Sequence, residues 1–318
     1  MDFQILHSNL TNPTLLFFLL GILAVIIRSD LQIPESSSKF IALYLLFSIG
    51  FKGGQELSHS QFSPEIWVGL LFGLLIAAAI PFYTFFILRR TLSIPNAGAI
   101  AAAYGSVSAV TFVAAATFLE LRGQVFSGHM VAVMALMEVP AIIVGFLLMM
   151  HFEKSEQAPS LKTMMHHALS NGSVVMILGS LLIGWVADTK QAEGIKPFTT
   201  DIFKGFLALY LLEMGMITAR RFVAFCREGA FLLSFAVLIP AFNGCVVAFT
   251  SQYVTSQAAD RFIFAILASS ASYIAVPAAM RLAAPKAEPG LYIPMALGVT
   301  FPFNITIGMP LYYLVVFS

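Results

Sequence analysis

The chain has 318 residues, of which 59% are hydrophobic and only 10% are charged, and its formal net charge is +1. A soluble domain is roughly half apolar and about a quarter charged, so too few charges remain here to cover a water-facing surface. No basic cluster of the kind that binds nucleic acid is present. Two cysteines are too few for a disulfide framework or a cysteine-ligated zinc site.

The apolar residues fall in blocks of about 17–25 residues, the length that crosses a bilayer core as an α-helix. Inside hydrocarbon each backbone N–H and C=O must be satisfied within its own segment, so these blocks predict helices. Met1–Pro13 lacks the basic region of a signal peptide, and we therefore expect the first block to be retained. The predicted spans are 14–28, 36–52, 64–88, 97–120, 127–150, 170–187, 200–218, 230–251, 260–282 and 291–316.

The distribution of lysine and arginine between the loops predicts the orientation of these spans. If the N-terminus lies outside, eleven of the seventeen basic residues are cytoplasmic and six are outside. The six outside residues are Lys52, Arg122, Lys190, Lys196, Lys204 and Arg261. Because basic residues favour the cytoplasmic side, we expect a multi-pass protein of a bacterial inner membrane with both termini outside.

The two halves of the chain resemble each other at offsets of 161 to 166 positions. The matching pairs, in order along the chain, are Ala42–Leu46 with Ala208–Leu212, Ser106–Ser108 with Ser270–Ser272, Ala114–Ala115 with Ala278–Ala279, and Met134–Leu136 with Met295–Leu297. Each half holds five predicted spans, and an odd number starts the second half on the opposite side of the membrane. The pattern predicts an all-α membrane protein with ten transmembrane helices in two inverted five-helix repeats, residues 1–151 and 169–318, joined by a cytoplasmic linker at 152–168. This architecture is typical of secondary transporters, whose substrate site lies where the repeats meet.

The fourth and ninth spans carry small and hydroxyl residues at their centres. Paired weak points of this kind in the two halves predict two discontinuous, crossing helices, and the N–H groups that such breaks leave free attract an anion. The candidate substrate-binding residues are Gly105, Ser106, Ser108, Thr111, Ser269, Ser270, Ser272 and Tyr273. The alternative is that these residues serve close helix packing in lipid.

Glu138 lies near the middle of the fifth span. An ionised carboxylate at mid-bilayer is costly, so Glu138 is predicted to bind a sodium ion or a proton, or else to be a hydrogen-bonded structural residue. Thr300 and Asn304 in the tenth span offer neutral oxygens beside Pro302 and could complete a sodium site, or could serve packing hydrogen bonds. No nucleophile or metal-hydrolase motif is present, so we expect no enzyme activity and no cofactor.

Several segments together resemble the SbtA-type sodium-dependent bicarbonate transporters. They are Leu31–Pro34 with Lys39-Phe40, Gly50 to Gly54, Gly105–Ser108 with Ala114–Ala116, Ala268–Ser272 with Pro277 and Arg281, and Gly308–Tyr312. The resemblance implies ten spans, a homotrimer and sodium-coupled bicarbonate uptake. It also implies a mobile core domain of spans 3–5 and 8–10, a gate domain of spans 1, 2, 6 and 7, and a substrate held by the broken helices. A PII-like nucleotide-binding protein regulates cyanobacterial members from the cytoplasmic face, which implies a possible partner here.

The leading hypothesis is a secondary active transporter that takes up bicarbonate or a similar small anion with sodium by alternating access. Tyr273 stands where the resemblance implies an aspartate, which motivates a second hypothesis, a proton- or sodium-coupled carrier of another small carboxylate. A passive channel and an integral-membrane enzyme are further alternatives. The enzyme would need catalytic side chains clustered at one membrane depth, and away from the span ends the only acidic residues within spans are Glu138 and Glu213.

Overall fold

The computed structural model describes residues 13–59, 64–153, 161–170, 172–225, 229–273, 276–277, 279–280, 284 and 286–318. Within these ranges every regular element is a helix. The main helices are α1 Pro13–Ile26, α2 Glu35–His59, α3 Pro64–Leu88, α4 Ile94–Gly105, α5 Ala109–Glu120, α6 His129–Phe152, α7 Leu161–Leu169, α8 Gly172–Val186, α9 Phe203–Phe225, α10 Ala230–Thr250, α11 Ala258–Ser269 and α12 Pro289–Phe317. Ala278 and Arg281, which contribute to the repeat and to the resemblance, lie outside the described residues, as does part of the predicted linker.

Each of the ten predicted spans coincides with helix, although their lengths differ. Among the described residues, six helices are long and apolar enough to cross a membrane: Pro64–Leu88, Ile94–Glu120, His129–Phe152, Pro197–Arg220, Ala230–Tyr253 and Pro289–Phe317. Leu16–Ile26 and Gly172–Val186 are apolar but shorter. The chain is therefore a helical multi-pass membrane protein, and ten crossings stay a prediction.

Large apolar side chains cover much of the outer surface of these helices. On α3, Trp67, Leu71 and Leu75 are 65%, 58% and 59% exposed. A continuous exposed apolar face of this size marks a surface that contacts a membrane or another protein. The face of α3 is thus suited to lipid, which is as apolar as the leucine side chain.

The helices pack in two groups. In the first group α1 packs against α9 and α2 packs against α8; in the second, α3, α4 and α6 pack together and α10 packs against α11 and α12. The α1–α9 contact is close because Gly21 meets the backbone of Leu212 and Gly215 meets the backbone of Phe18. Any Cβ atom at either glycine would overlap a carbonyl oxygen. Small residues are what allow helices to approach so closely in lipid.

Two buried polar side chains tie the halves of the second group together. Asn96, near the start of α4, accepts a hydrogen bond from the backbone N–H of Glu288 at 2.8 Å. Asp260, near the start of α11, accepts one from the N–H of Ser127 at 2.7 Å. Asn96 and Asp260 are 164 positions apart, and Ser127 and Glu288 are 161 apart. Each bond therefore joins an interrupted helix of one half to the start of the last helix of the other.

Candidate functional site

The fourth predicted span is interrupted between α4 and α5. Ser106 has an extended backbone, with φ −85° and ψ 175°, and Ser108 is the N-cap of α5. The Ser108 hydroxyl oxygen accepts a hydrogen bond from the Thr111 N–H at 3.2 Å, which satisfies one of the amides that a helix start leaves unpaired. Gly105 lies against the ring of Pro81, where a Cβ atom would overlap it. The predicted residues of this break are thus all buried, and they shape it.

The ninth predicted span is interrupted in the same way. α11 ends at Ser269, and Ser270 has φ −83° and ψ 167°, nearly the conformation of Ser106. The Ser272 hydroxyl oxygen accepts a long hydrogen bond from the N–H of Val276, at 3.4 Å, where helical structure resumes. Ser270 therefore follows the end of α11 as Ser106 follows the end of α4, and Ser272 accepts a backbone N–H as Ser108 does. The two members of each pair are 164 positions apart.

The two breaks hydrogen-bond to each other. The Ser108 N–H donates to the Ser270 hydroxyl at 3.0 Å, and the Ser272 N–H donates to the carbonyl of Ala103 at 2.8 Å. Backbone groups that one break frees thus find partners in the other, as buried backbone groups must. The hydroxyl of Ser106, by contrast, is fully buried and has no hydrogen-bond partner within the described residues.

A cavity of about 20 Å³ lies beside this crossing, and that is room for about one water molecule. Its polar lining consists of Ser108, Ser272 and Tyr273 from the breaks, Glu138 from α6 and Ser173 from α8. Its apolar lining is Ala42, Leu45, Leu46, Val107, Ala109, Val110 and Val113. The cavity therefore lies between helices of the two packing groups, α2 and α8 on one side and α5 and α6 on the other.

Glu138 is the charged side chain of this cavity. The residue is only 7% exposed, and its Oε2 atom has no hydrogen-bond partner in the described part of the chain. A buried carboxylate oxygen of this kind is costly unless a proton or a cation neutralises it. The Tyr273 hydroxyl lies close to Ser108 and Tyr210 but completes no well-formed hydrogen bond with any residue that the structure describes. The cavity thus combines one carboxylate with several hydroxyl groups that can donate hydrogen bonds.

The start of α5 forms part of the same wall. Ala109 and Val110 line the cavity, and as the first residues of a helix their N–H groups have no intrahelical partner. The helix dipole adds partial positive charge at this end. The arrangement therefore presents N–H and hydroxyl groups suited to an anion and, at Glu138, a carboxylate suited to a cation.

Thr300 and Asn304 do not line this cavity. The Thr300 hydroxyl is 2.7 Å from that of Tyr104, and the Asn304 amide donates to the carbonyl of Ser269 at 2.8 Å. Asn304 thus holds the end of α11 next to the break. A sodium site that these two residues share with Glu138 stays a prediction.

Asn96 and Asp260, near the starts of the two broken helices and at the opposite ends from the breaks, are buried polar residues that were not among the predicted site residues. Asp260 looks in the sequence like the end of a loop, yet it is 1% exposed. The sequence did contain a signal for the equivalence of Asp260 and Asn96. They are 164 positions apart, which is the offset that relates the two broken helices.

Comparison with known families gives one match over nearly the whole chain. Residues 13–317 match the Na+-dependent bicarbonate transporter superfamily. No protein of curated function matches the sequence. The matched region contains both breaks, Glu138 and every helix from α1 to α12.

Proposed function

The chain belongs to the Na+-dependent bicarbonate transporter superfamily, and on that premise we propose that it takes up bicarbonate together with sodium by alternating access. The observation that carries the proposal is the cavity at the crossing of the two broken helices. This cavity brings the carboxylate of Glu138, whose Oε2 atom has no hydrogen-bond partner among the described residues, together with Ser108, Ser272 and Tyr273. Hydroxyl groups and helix N–H groups suit a small oxyanion, and the carboxylate suits a cation.

Glu138 supplies a physical reason for coupling. While it is ionised, its negative charge repels an anion in the same small cavity. Sodium bound to the carboxylate removes this repulsion, so each ion strengthens the binding of the other by the same factor. Entry of bicarbonate alone into a cell that is negative inside costs about 2.3 kcal/mol per 100 mV. Sodium that moves with it offsets this cost.

The proposed architecture is two inverted repeats divided into a gate of α1, α2, α8 and α9 and a core of α3–α6 and α10–α12. Suppose that the repeat makes α1 equivalent to α8 and α2 equivalent to α9. The contact between α1 and α9 is then equivalent to the contact between α8 and α2, and both contacts are present. The reciprocal bonds of Asn96 and Asp260 support the same relation in the core. The cavity lies between gate and core, so a movement of one against the other would open it.

A second candidate function is the transport of another small carboxylate. Tyr273 favours it, because a phenol hydroxyl in a largely apolar cavity can donate to a carboxylate but is a poor sodium ligand. Acetate and formate, in excess over labelled bicarbonate, separate the two candidates: a bicarbonate transporter keeps its uptake, whereas a general carboxylate carrier loses it. The homotrimer and the cytoplasmic regulator implied by the resemblance remain predictions.

The proposal is tested by uptake of labelled bicarbonate into proteoliposomes that contain the purified protein. We expect accumulation with an inward sodium gradient and none with an equal potassium gradient. The variant Ser272→Ala removes a hydroxyl from the cavity lining, and we expect it to raise the KM for bicarbonate. Uptake that is independent of sodium, or the absence of uptake, would refute sodium-coupled bicarbonate transport.

A further inference from the structure

A second cavity, of about 200 Å³, lies between the two packing groups. It is ten times larger than the cavity at the crossing. Charged side chains from both groups line it: Lys52 and Glu56 on α2, Glu120 at the end of α5, and Lys204 at the start of α9. The substrate site described above uses none of these residues.

The two cavities follow one another along the same helices. On α2 the lining passes from Leu46 in the small cavity to Ile49 in the large one, and on α5 it passes from Val113 to Ala116. Three residues of an α-helix span about 4.5 Å. Both Ile49 and Val113 are buried. The two linings therefore lie less than one helical turn apart along these helices, and the buried side chains of Leu46, Ile49 and Val113 lie at the boundary between the cavities.

An ion pair connects the gate helices to the core across the large cavity. The Lys204 ammonium is 3.1 Å from the Glu120 carboxylate, and both side chains are about half exposed, at 52% and 57%. Glu120 lies at the C-terminal end of α5, where the helix dipole disfavours a negative charge. Exposed pairs of this kind contribute only about 0–1 kcal/mol. The pair can therefore break at a low cost in free energy, as a contact between helix groups that move against each other requires.

We propose that the large cavity is the outer vestibule of the transport pathway and that a small oxyanion enters it by replacing Glu120 as the partner of Lys204. The exchange breaks the contact between α9 and α5 and frees the core to move against the gate. Lys52, on the same wall, supplies a second ammonium group to the arriving anion. This inference rests on the proposed function for the identity of the anion and on the distribution of basic residues for the side of the membrane.

The test measures reaction rates at one cysteine and requires no transport. In a variant whose two cysteines are replaced, Ala116→Cys places a thiol in the vestibule. Membrane-impermeant methanethiosulfonate reagents, one anionic and one cationic, are added outside intact cells. We expect both to react, and we expect Glu120→Gln to raise the ratio of the anionic to the cationic rate roughly threefold to tenfold by freeing Lys204. Lys204→Gln should lower the same ratio by a similar factor.

The matched control is an exposed ion pair within α2, Glu35 with Lys39 at 2.7 Å. It lines neither cavity, so Lys39→Gln should leave the ratio unchanged. We also expect bicarbonate, at a concentration that saturates uptake, to lower the reaction rate of the anionic reagent. In the Lys204→Gln variant bicarbonate should leave this rate unchanged. No reaction from outside, or a ratio insensitive to both Glu120 and Lys204, would overturn the vestibule while leaving bicarbonate uptake intact. A charge-dependent ratio in a protein that does not transport bicarbonate would support the vestibule and refute only the proposed substrate.

Discussion

Replacement of Glu138 by glutamine tests the coupling mechanism directly. Glutamine keeps the size of the side chain and removes its charge. Since Glu138 lines the same cavity as Ser108 and Ser272, an anion bound by these hydroxyl groups lies close to the carboxylate. At a separation of about 6 Å and an effective dielectric constant of about 20, the repulsion is about 3 kcal/mol. That corresponds to a factor of roughly 100 in the dissociation constant. We therefore expect sodium to strengthen bicarbonate binding by up to this factor in the unmodified protein, and hardly at all in Glu138→Gln.

Titration calorimetry of the purified protein, in sodium buffer and in choline buffer, measures both dissociation constants. The matched control is Glu213→Gln on α9, because Glu213 is also buried and also has an unpartnered oxygen, but it does not line the cavity. We expect this control to keep its sodium dependence. A Glu138→Gln variant with the full sodium effect would show that sodium binds elsewhere, and the coupling argument would then be wrong. If protons replace sodium, the dependence on sodium disappears and a dependence on pH takes its place.

Two further predictions concern helix contacts that the structure shows. Gly215→Ala places a methyl group against the Phe18 carbonyl, and we expect it to cost about 1–3 kcal/mol of stability. The control is Gly205→Ala on the same helix, where an added Cβ atom has no other atom within 4 Å. We expect this control to be neutral or stabilising. Equal melting temperatures in detergent would contradict the close α1–α9 contact. Asp260→Ala removes the acceptor of the Ser127 N–H and should destabilise the core by about 1–3 kcal/mol, whereas Asp260→Asn, which copies the equivalent Asn96, should cost less. The reverse order would refute the equivalence of the two positions.

The interrupted helices show how far a sequence can be read without a structure. Hydroxyl and small residues at mid-span predicted both interruptions, and the structure has them at Ser106–Ser108 and at Ser270–Tyr273. Local chemistry is sufficient here, because a serine that caps a helix start competes with the helix backbone for its hydrogen bonds. Glu138 could also be recognised alone, since a carboxylate in an apolar span has a cost that the sequence already reveals.

The tertiary structure decided which of these residues meet. Ser108, Ser272, Tyr273 and Glu138 share one cavity, whereas Asn304 lies elsewhere and bonds to the carbonyl that precedes the second break. No local pattern contains this information, because Glu138 is 30 residues from Ser108 and 134 from Ser272, and only helix packing brings these side chains together.

The sequence by itself determined that this chain is a helical membrane protein with two matched weak points, because the bilayer dictates helix length and backbone satisfaction one segment at a time. Only the tertiary structure showed that Asp260 is a buried acceptor, that Lys204 pairs with Glu120 between packing groups, and that two cavities follow one another along α2 and α5. Those features depend on the positions of whole helices relative to one another. In lipid these positions are fixed by close contacts at small residues, such as the contact of Gly21 with the Leu212 backbone. Such contacts leave no periodic pattern in the sequence.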